Sequence, residues 1–333
     1  MPGCVTPKLA LAVLLLLTAC VELPQTTLDR AASEPDAARP VSAEAAAPAS
    51  LAAPSPLRIG SWNVRKLGFE PGKDIASIAA VVERHFDLVA LLEVVWSADD
   101  AAYEALRAAL GPAWQLQRTR SARPNLKSPH AEYYVVALRS QRVAPCMDGL
   151  DGMDGAEGLE FLVDGEGSDD SPTRGLFLRE PAFGCYQTRG PDAGNDFSLG
   201  VYHAEWGSGS ADSIASEVSH VDLVFEAMRE RFPQERQLFL IGDFNLSSAA
   251  LTPLTSAHDR TRGTGSTLTA DTQISANLYD HLLALGRASE DALLDDAKVL
   301  DVRSEAFDPK QFRTQVSDHL PLVAELRVSR DDD

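Results

Sequence analysis

Positive charge is in short supply in this chain. Thirty lysines and arginines stand against 49 aspartates and glutamates, a formal charge of −19, of which −17 falls after Pro56. A field of that sign repels polyanions at long range, so it gives no support for indiscriminate nucleic-acid binding, and it attracts divalent cations. Net charge is an average, and a local basic groove is still allowed. Long apolar runs are missing as well. The N-terminal run, Leu9 to Leu17, is well short of the about 20 residues that a membrane-spanning helix needs. Internal repeats are absent, and no second spacer interrupts the chain, so residues 57–329 read as one domain.

Lys8 followed by that short run has the shape of a secretory signal. The run ends in "LTAC", Leu17 to Cys20, which resembles the bacterial lipobox, whose cysteine is lipidated and becomes the new N-terminus. The competing reading is a plain cleaved signal peptide. By the resemblance, residues 1–20 are a lipoprotein-type signal and Cys20 anchors the protein in the bacterial cell envelope. Val21 rather than Asp after the cysteine points to the outer membrane in a Gram-negative cell. Residues 21–56 are Ala- and Pro-rich with almost no large apolar side chains after Leu28. They cannot bury enough surface to offset their ordering entropy, so a disordered spacer is expected. An acidic tail, 330–333, closes the chain.

Cysteine is scarce too. With Cys4 in the signal and Cys20 as the lipid site, only Cys146 and Cys185 are left. In an oxidising compartment they are expected to form one disulfide rather than two free thiols. The bond would staple the base of an acidic, Gly-rich insertion, Asp148 to Asp170. Its "DGLDGMDGAEG" does not have the EF-hand spacing and reads as a solvated loop, with loose Ca²⁺ binding as the lesser reading.

Apolar patterning marks strands at "LRIGSWNV", "DLVALLEVV", "YYVVALRS", "DFSLGVYHAEW", "QLFLIGDFN", "ANLYDHLLA" and "DHLPLVAELRV". Asp74 is placed to cap a first helix, Asp99–Leu110 reads as a second, and Asp212–Phe232 as the longest. Strands and helices alternate early, while later strands follow one another directly. That order predicts a four-layered α/β/β/α sandwich, two packed sheets with helices outside.

Polar residues recur where these strands end: Asn63, Glu93, Glu132, His203, Asp243 with Asn245, Asp280 with His281, and Asp318 with His319. A lone case reads as a cap or turn residue. Drawn repeatedly from Asn, Asp, Glu and His, they predict one rim with carboxylates for a hard cation and imidazoles for proton transfer. Alternation along a strand places Asp243 and Asn245 on one side, and separates His281 from Asp280 and Asp318 from His319.

"SWNV", "LLEV", "VYHAEW", "IGDFNLSS", "NLYDHLL" and "SDHLPL" occur in the order that resembles the endonuclease/exonuclease/phosphatase superfamily, across essentially all of 57–329. Within it the chain is most similar to the deoxyribonuclease I type. That resemblance implies a metal-dependent phosphodiester hydrolase. His319 paired with Asp280 is expected as general base and His203 paired with Glu132 as general acid. Asp243 and Asn245 orient water and phosphate. Glu93, Asn63 and Asp318 hold Mg²⁺ (or Mn²⁺), with Ca²⁺ a further candidate. "NVRKLG" and "FLREPAF" place Arg65 and Arg179 on DNA-contacting arginines, and His130 stands where the family has a tyrosine near the scissile phosphate. Val95 replaces a groove-reading arginine, which weakens the expected DNA grip.

The leading expectation is therefore a monomeric, extracytoplasmic endonuclease with DNA as substrate and no protein partner. The alternative keeps fold and chemistry but takes a phospholipid or phosphoinositide. A non-catalytic surface binding module is disfavoured, because every expected catalytic position holds a competent residue.

Overall fold

In the computed structural model the described residues are 55–95, 97, 99–119, 123–124, 131–146, 159–162, 175–190, 193–206, 211–305 and 308–328. The expected signal, Cys20, nearly all of the spacer, His130, most of the acidic insertion and the C-terminal tail lie outside them.

Two sheets form the frame. The first runs in the order Thr261–Arg262, Ala297–Val299, Leu322–Leu326, Leu57–Leu67, Leu88–Val95, Ala131–Arg139, Trp114–Arg118. The second runs His258–Asp259, Asp280–Leu285, Leu238–Asp243, Asp196–His203, Ala182–Thr188, Val143–Pro145. Neighbours are mostly antiparallel. Leu57–Leu67 with Leu88–Val95, Thr261–Arg262 with Ala297–Val299, and Leu238–Asp243 with Asp196–His203 are parallel.

Side-chain alternation decides what each face buries. Leu57, Ile59, Leu88, Ala90 and Leu92 of the first sheet meet Phe197, Leu199, Val201, Phe239, Ile241 and Leu282 of the second in one core. The opposite face of the first sheet packs Trp62, Val64, Val89 and Leu91 against the helices Ile75–His85 and Ala101–Leu110. The outer face of the second packs Tyr202, Leu240 and Leu283 against Ala211–Val218 and Asp222–Arg231. This is the expected α/β/β/α sandwich. Asp74 caps its helix as expected, accepting from the Ser77 amide at 3.0 Å.

Three expectations change. The single helix over Asp212–Phe232 is two, because His220, Val221 and Leu223 bond three residues back rather than four. The last strand begins at Leu322, so Asp318 and His319 stand on the segment ahead of it and not on the strand. The third is the tip of the Leu238–Asp243 strand, where alternation fails. Asn245 has φ +52 and Gly242 φ +149, so the chain turns out of the pleat before Asn245. Cys146 and Cys185 are joined by a disulfide with Cα atoms 5.3 Å apart, as expected.

Gly242 is required at that tip. A Cβ there would meet the Tyr202 carbonyl oxygen at 1.9 Å, in a backbone conformation that L side chains rarely adopt. Gly242→Ala is expected to destabilise the fold by about 2 kcal/mol or more, measured by urea unfolding; a change within about 0.5 kcal/mol would contradict this account.

Candidate active site

Alternation puts the polar strand ends in one place. Asn63 continues the inward parity of Leu57 and Ile59, Glu132 that of Tyr134 and Val136, His203 that of Leu199 and Val201, Asp243 that of Phe239 and Ile241, and Asp280 that of Leu282 and Ala284. All lie at the same end of the two sheets, where the core meets solvent.

Glu93 reaches this rim differently. Val89 and Leu91 face outward, so strict alternation would send Glu93 outward as well. The pairing with both neighbours slips here, and Glu93 takes φ +60. This β-bulge re-aims the carboxylate and lets Val94 resume the outer face. Arg65 and Lys66 opposite are also left-handed, each at φ +46. Non-glycine residues held there cost about 1–3 kcal/mol each and concentrate at functional sites.

The centre of the site is Asp243 Oδ2. His203 Nε2 lies 3.7 Å and His319 Nε2 3.6 Å from it, and Asn63 Nδ2 donates to it at 3.2 Å. Asn63 Nδ2 also donates to Glu93 Oε1 at 2.8 Å, and Glu93 Oε2 accepts the Lys66 amide at 2.9 Å. Each imidazole is held from behind by a carboxylate. His319 Nδ1 donates to Asp280 Oδ2 at 2.8 Å, and His203 Nδ1 faces Glu132 Oε2 at 3.3 Å. These are the expected pairings.

Burial and mutual charge set the protonation. Burial, then the Asp280 charge, push the Asp243 carboxyl up, against the pull of His319 and His203. For His319, burial works against the charged form, but Asp280 and Asp243 outweigh it and raise the pKa to about 10. Burial also works to raise Glu132, and the His203 hydrogen bond and charge, with Arg179, hold it below the ordinary carboxylate range instead.

A hard divalent cation fits this donor set. Glu93 and Asp243 converge with one amide between them, and Asp243 is fully buried with another carboxylate near. Asp243, Asp280 and His319 also offer ligand atoms within 4.8 Å of one another. Asp318, expected on the metal side, is instead bracketed by Arg65 and Arg313 at 3.7 Å each. Asn245, expected to aim at the phosphate, donates to the Ala204 carbonyl at 2.8 Å, while its amide is capped by Asp243 Oδ1 at 3.1 Å.

The two arginines expected to grip DNA are also engaged. Arg65 pairs with Glu70 at 3.3 Å and donates to the Arg313 carbonyl at 2.7 Å. Arg179 is buried between Glu132, at 3.4 Å, and Glu205, at 3.2 Å. Turned inward, it holds the carboxylate behind His203.

Several supporting residues carried no signal of their own in the sequence. Trp62 Nε1 donates to the His319 carbonyl at 3.0 Å, and Ser317 Oγ bridges from the His319 amide to the Asn63 carbonyl. Tyr134 Oη accepts the His203 amide at 3.2 Å, and Glu205 balances Arg179. His281 faces away, as alternation predicts. It is buried with Nδ1 on Asp259 at 3.0 Å and Nε2 on the Leu246 carbonyl at 2.8 Å, tying down the segment after Asn245. Only "VYHAEW", with an acid two residues past the histidine, hinted at Glu205.

The sequence model of the Endonuclease/Exonuclease/phosphatase family matches residues 60–319. A protein named deoxyribonuclease from Thioalkalivibrio sp. (strain K90mix) is 28% identical over 294 residues, covering 81% of this chain and 71% of that protein. An endonuclease/exonuclease/phosphatase family protein from Bacteroides thetaiotaomicron superposes with a TM-score of 0.54 at 18% identity, over 82% of this chain and 98% of its own. TDP2 from D. rerio, solved with a single-strand DNA product, gives 0.52 at 16% identity, over 82% and 100%. These two likenesses show the fold.

Two tests follow from the geometry. His319 has a folded pKa of about 10 against an ordinary 6.5. Its stabilisation is therefore complete below pH 6.5 and lost as pH rises through about 10. Melting the metal-free protein across that range should show stability falling with pH, with a shallower fall in His319→Asn; equal slopes would refute the assignment. Arg179→Ala leaves the buried Glu205 without its cation and takes from Glu132 one of its two partners, and it is expected to destabilise by about 3–5 kcal/mol in denaturant unfolding. A DNA-facing arginine would change stability by under about 0.5 kcal/mol.

Proposed function

This chain belongs to the endonuclease/exonuclease/phosphatase family, and we propose that it is a metal-dependent phosphodiesterase that cuts DNA endonucleolytically with Mg²⁺ (or Mn²⁺). The observation that carries the reading is the approach of both His319 and His203, through Nε2, to Asp243 Oδ2 at 3.6 and 3.7 Å, each imidazole backed by its own carboxylate. Phosphodiester hydrolysis needs that arrangement: one group to take a proton from water, one to give a proton to the leaving oxygen, and negative charge balanced between them.

A bound divalent cation would be held by Glu93 and Asp243 and would offset negative charge on these carboxylates and on the non-bridging phosphate oxygens. Asp280 and Asp243 are the two carboxylates that hold the His319 proton, and offsetting the charge of Asp243 would weaken that hold. Its Nε2 can then accept the proton of an attacking water, while Asp280 at Nδ1 stabilises the imidazolium that forms. His203 Nε2 delivers a proton to the leaving oxygen, and Glu132, held by Arg179, fixes its tautomer. Asn63 sets the spacing of Glu93 and Asp243, and Asn245 pins the His203 strand end through Ala204.

DNA is favoured as substrate by the deoxyribonuclease relative and by the expectation carried in the "REP" segment. The engagement of Arg65 and Arg179 in ion pairs favours the second reading, a phospholipid or phosphoinositide phosphoester. The address proposed with either substrate is the bacterial envelope, through lipid at Cys20.

A supercoiled-plasmid nicking assay with Mg²⁺, run beside a phospholipid panel, decides. Nicking that EDTA abolishes and that His319→Ala slows by about 100-fold or more in kcat is expected. An intact plasmid with a hydrolysed lipid selects the second reading, and inactivity on both returns the chain to a binding role.

A further inference from the structure

Trp206 is 60% exposed, the most exposed large apolar side chain among the described residues. A single exposed aromatic is ordinary surface. Trp206, however, is stacked with Tyr279, ring centroids 5.6 Å apart and planes tilted by 39°. Trp206 follows the His203 strand by three residues, and Tyr279 immediately precedes Asp280. Those two strands lie on opposite sides of the Asp243 strand, so about 9–10 Å separates them. The rings close that gap by reaching toward each other across the tip that carries Asp243.

The backbone below them is fixed. The Tyr279 carbonyl accepts the Phe244 amide at 2.8 Å, the Tyr279 amide donates to Ser266 Oγ at 3.0 Å, and the Ala204 amide donates to the Asp243 carbonyl at 2.8 Å. Burial and then the charge of Asp243 raise the Tyr279 phenol, which places that ring within the field of the catalytic carboxylate. The aromatic pair thus continues the reaction site.

The two arginines expected to grip a phosphate here are already engaged, so stacking adds a contact that they do not supply. Arg65 is paired with Glu70 and Asp318, and Arg179 with Glu132 and Glu205. Phosphate binding here competes with carboxylates, whereas a nucleobase needs only a ring face. In an intact duplex those faces are covered by neighbouring bases; in a single strand they are open. We propose that Trp206 and Tyr279 form a stacking platform for an unpaired nucleobase beside the scissile phosphate, and that single-stranded or frayed DNA is preferred over intact duplex. The proposal rests on the nuclease reading above and names the form of DNA it takes.

Binding separates the two ideas. In a His319→Ala background with Mg²⁺, a labelled short single-stranded oligothymidylate and an abasic chain of equal length are titrated by fluorescence anisotropy. The oligothymidylate should bind about tenfold more tightly, as loss of one stacked base implies. Trp206→Ala should erase the difference and Trp206→Phe should keep most of it, both with unchanged melting temperature. In the active enzyme, Trp206→Ala should narrow the ratio of single-strand to duplex cleavage. Equal binding of the two chains, or a difference that survives Trp206→Ala, overturns the platform. If plasmid nicking persists in that case, the nuclease reading stands without it. If no oligonucleotide binds and the plasmid stays intact, both fall together.

Discussion

A buried carboxylate surrounded by imidazole, amide and other carboxylates is the constraint on which the site depends. Asp243 is 1% exposed, and Asn63, His203 and His319 all turn toward it. A charge so placed is tolerated only with partners around it. Each of those partners comes from a different segment of the chain, so the charge can be satisfied only once both sheets are assembled. Fold and site are therefore coupled. The same contacts that make Asp243 tolerable bring the two histidines to one point.

Among the described residues, backbone strain concentrates near this point, with Asp100 at a helix start and Thr272 in a turn as the non-glycine residues of positive φ elsewhere. Glu93, Arg65, Lys66 and Asn245 all have positive φ, and each touches the site or the loops that shape it. The rest of the framework stays regular: strands with a clean inner and outer face, and helices packed by their apolar sides. A regular scaffold that holds a few strained residues at one rim can position side chains that no unstrained strand end would offer.

The electrostatics match the composition. The chain is acidic overall, and the arginines nearest the reaction are matched by carboxylates, two of them around Arg179 alone. Here arginine fixes the machinery rather than providing a broad basic surface. Beside these paired arginines the rim carries the stacked rings of Trp206 and Tyr279 and the exposed Lys66.

The amino-acid sequence by itself determined the layered architecture, because period-two apolar patterning fixes which face of each strand is buried. The pairings of His319 with Asp280 and of His203 with Glu132 were legible as well, through the motifs that carry the family resemblance. Asp74 was legible as a local cap, and the cysteine pair because so few cysteines are left in the domain. What only the tertiary structure decided is everything that depends on a departure from alternation or on a distant partner. The bulge at Glu93 and the turn after Gly242 reset parity, so neither the direction of Glu93 nor that of Asn245 could be counted from the pleat. Arg179 and Asp318 drew their roles from oppositely charged neighbours far away in the chain. Ser317, Tyr134 and the Trp206–Tyr279 pair had no pattern of their own. Periodicity is a property of the local backbone, while charge balance and ring contact exist only between segments that folding has brought together.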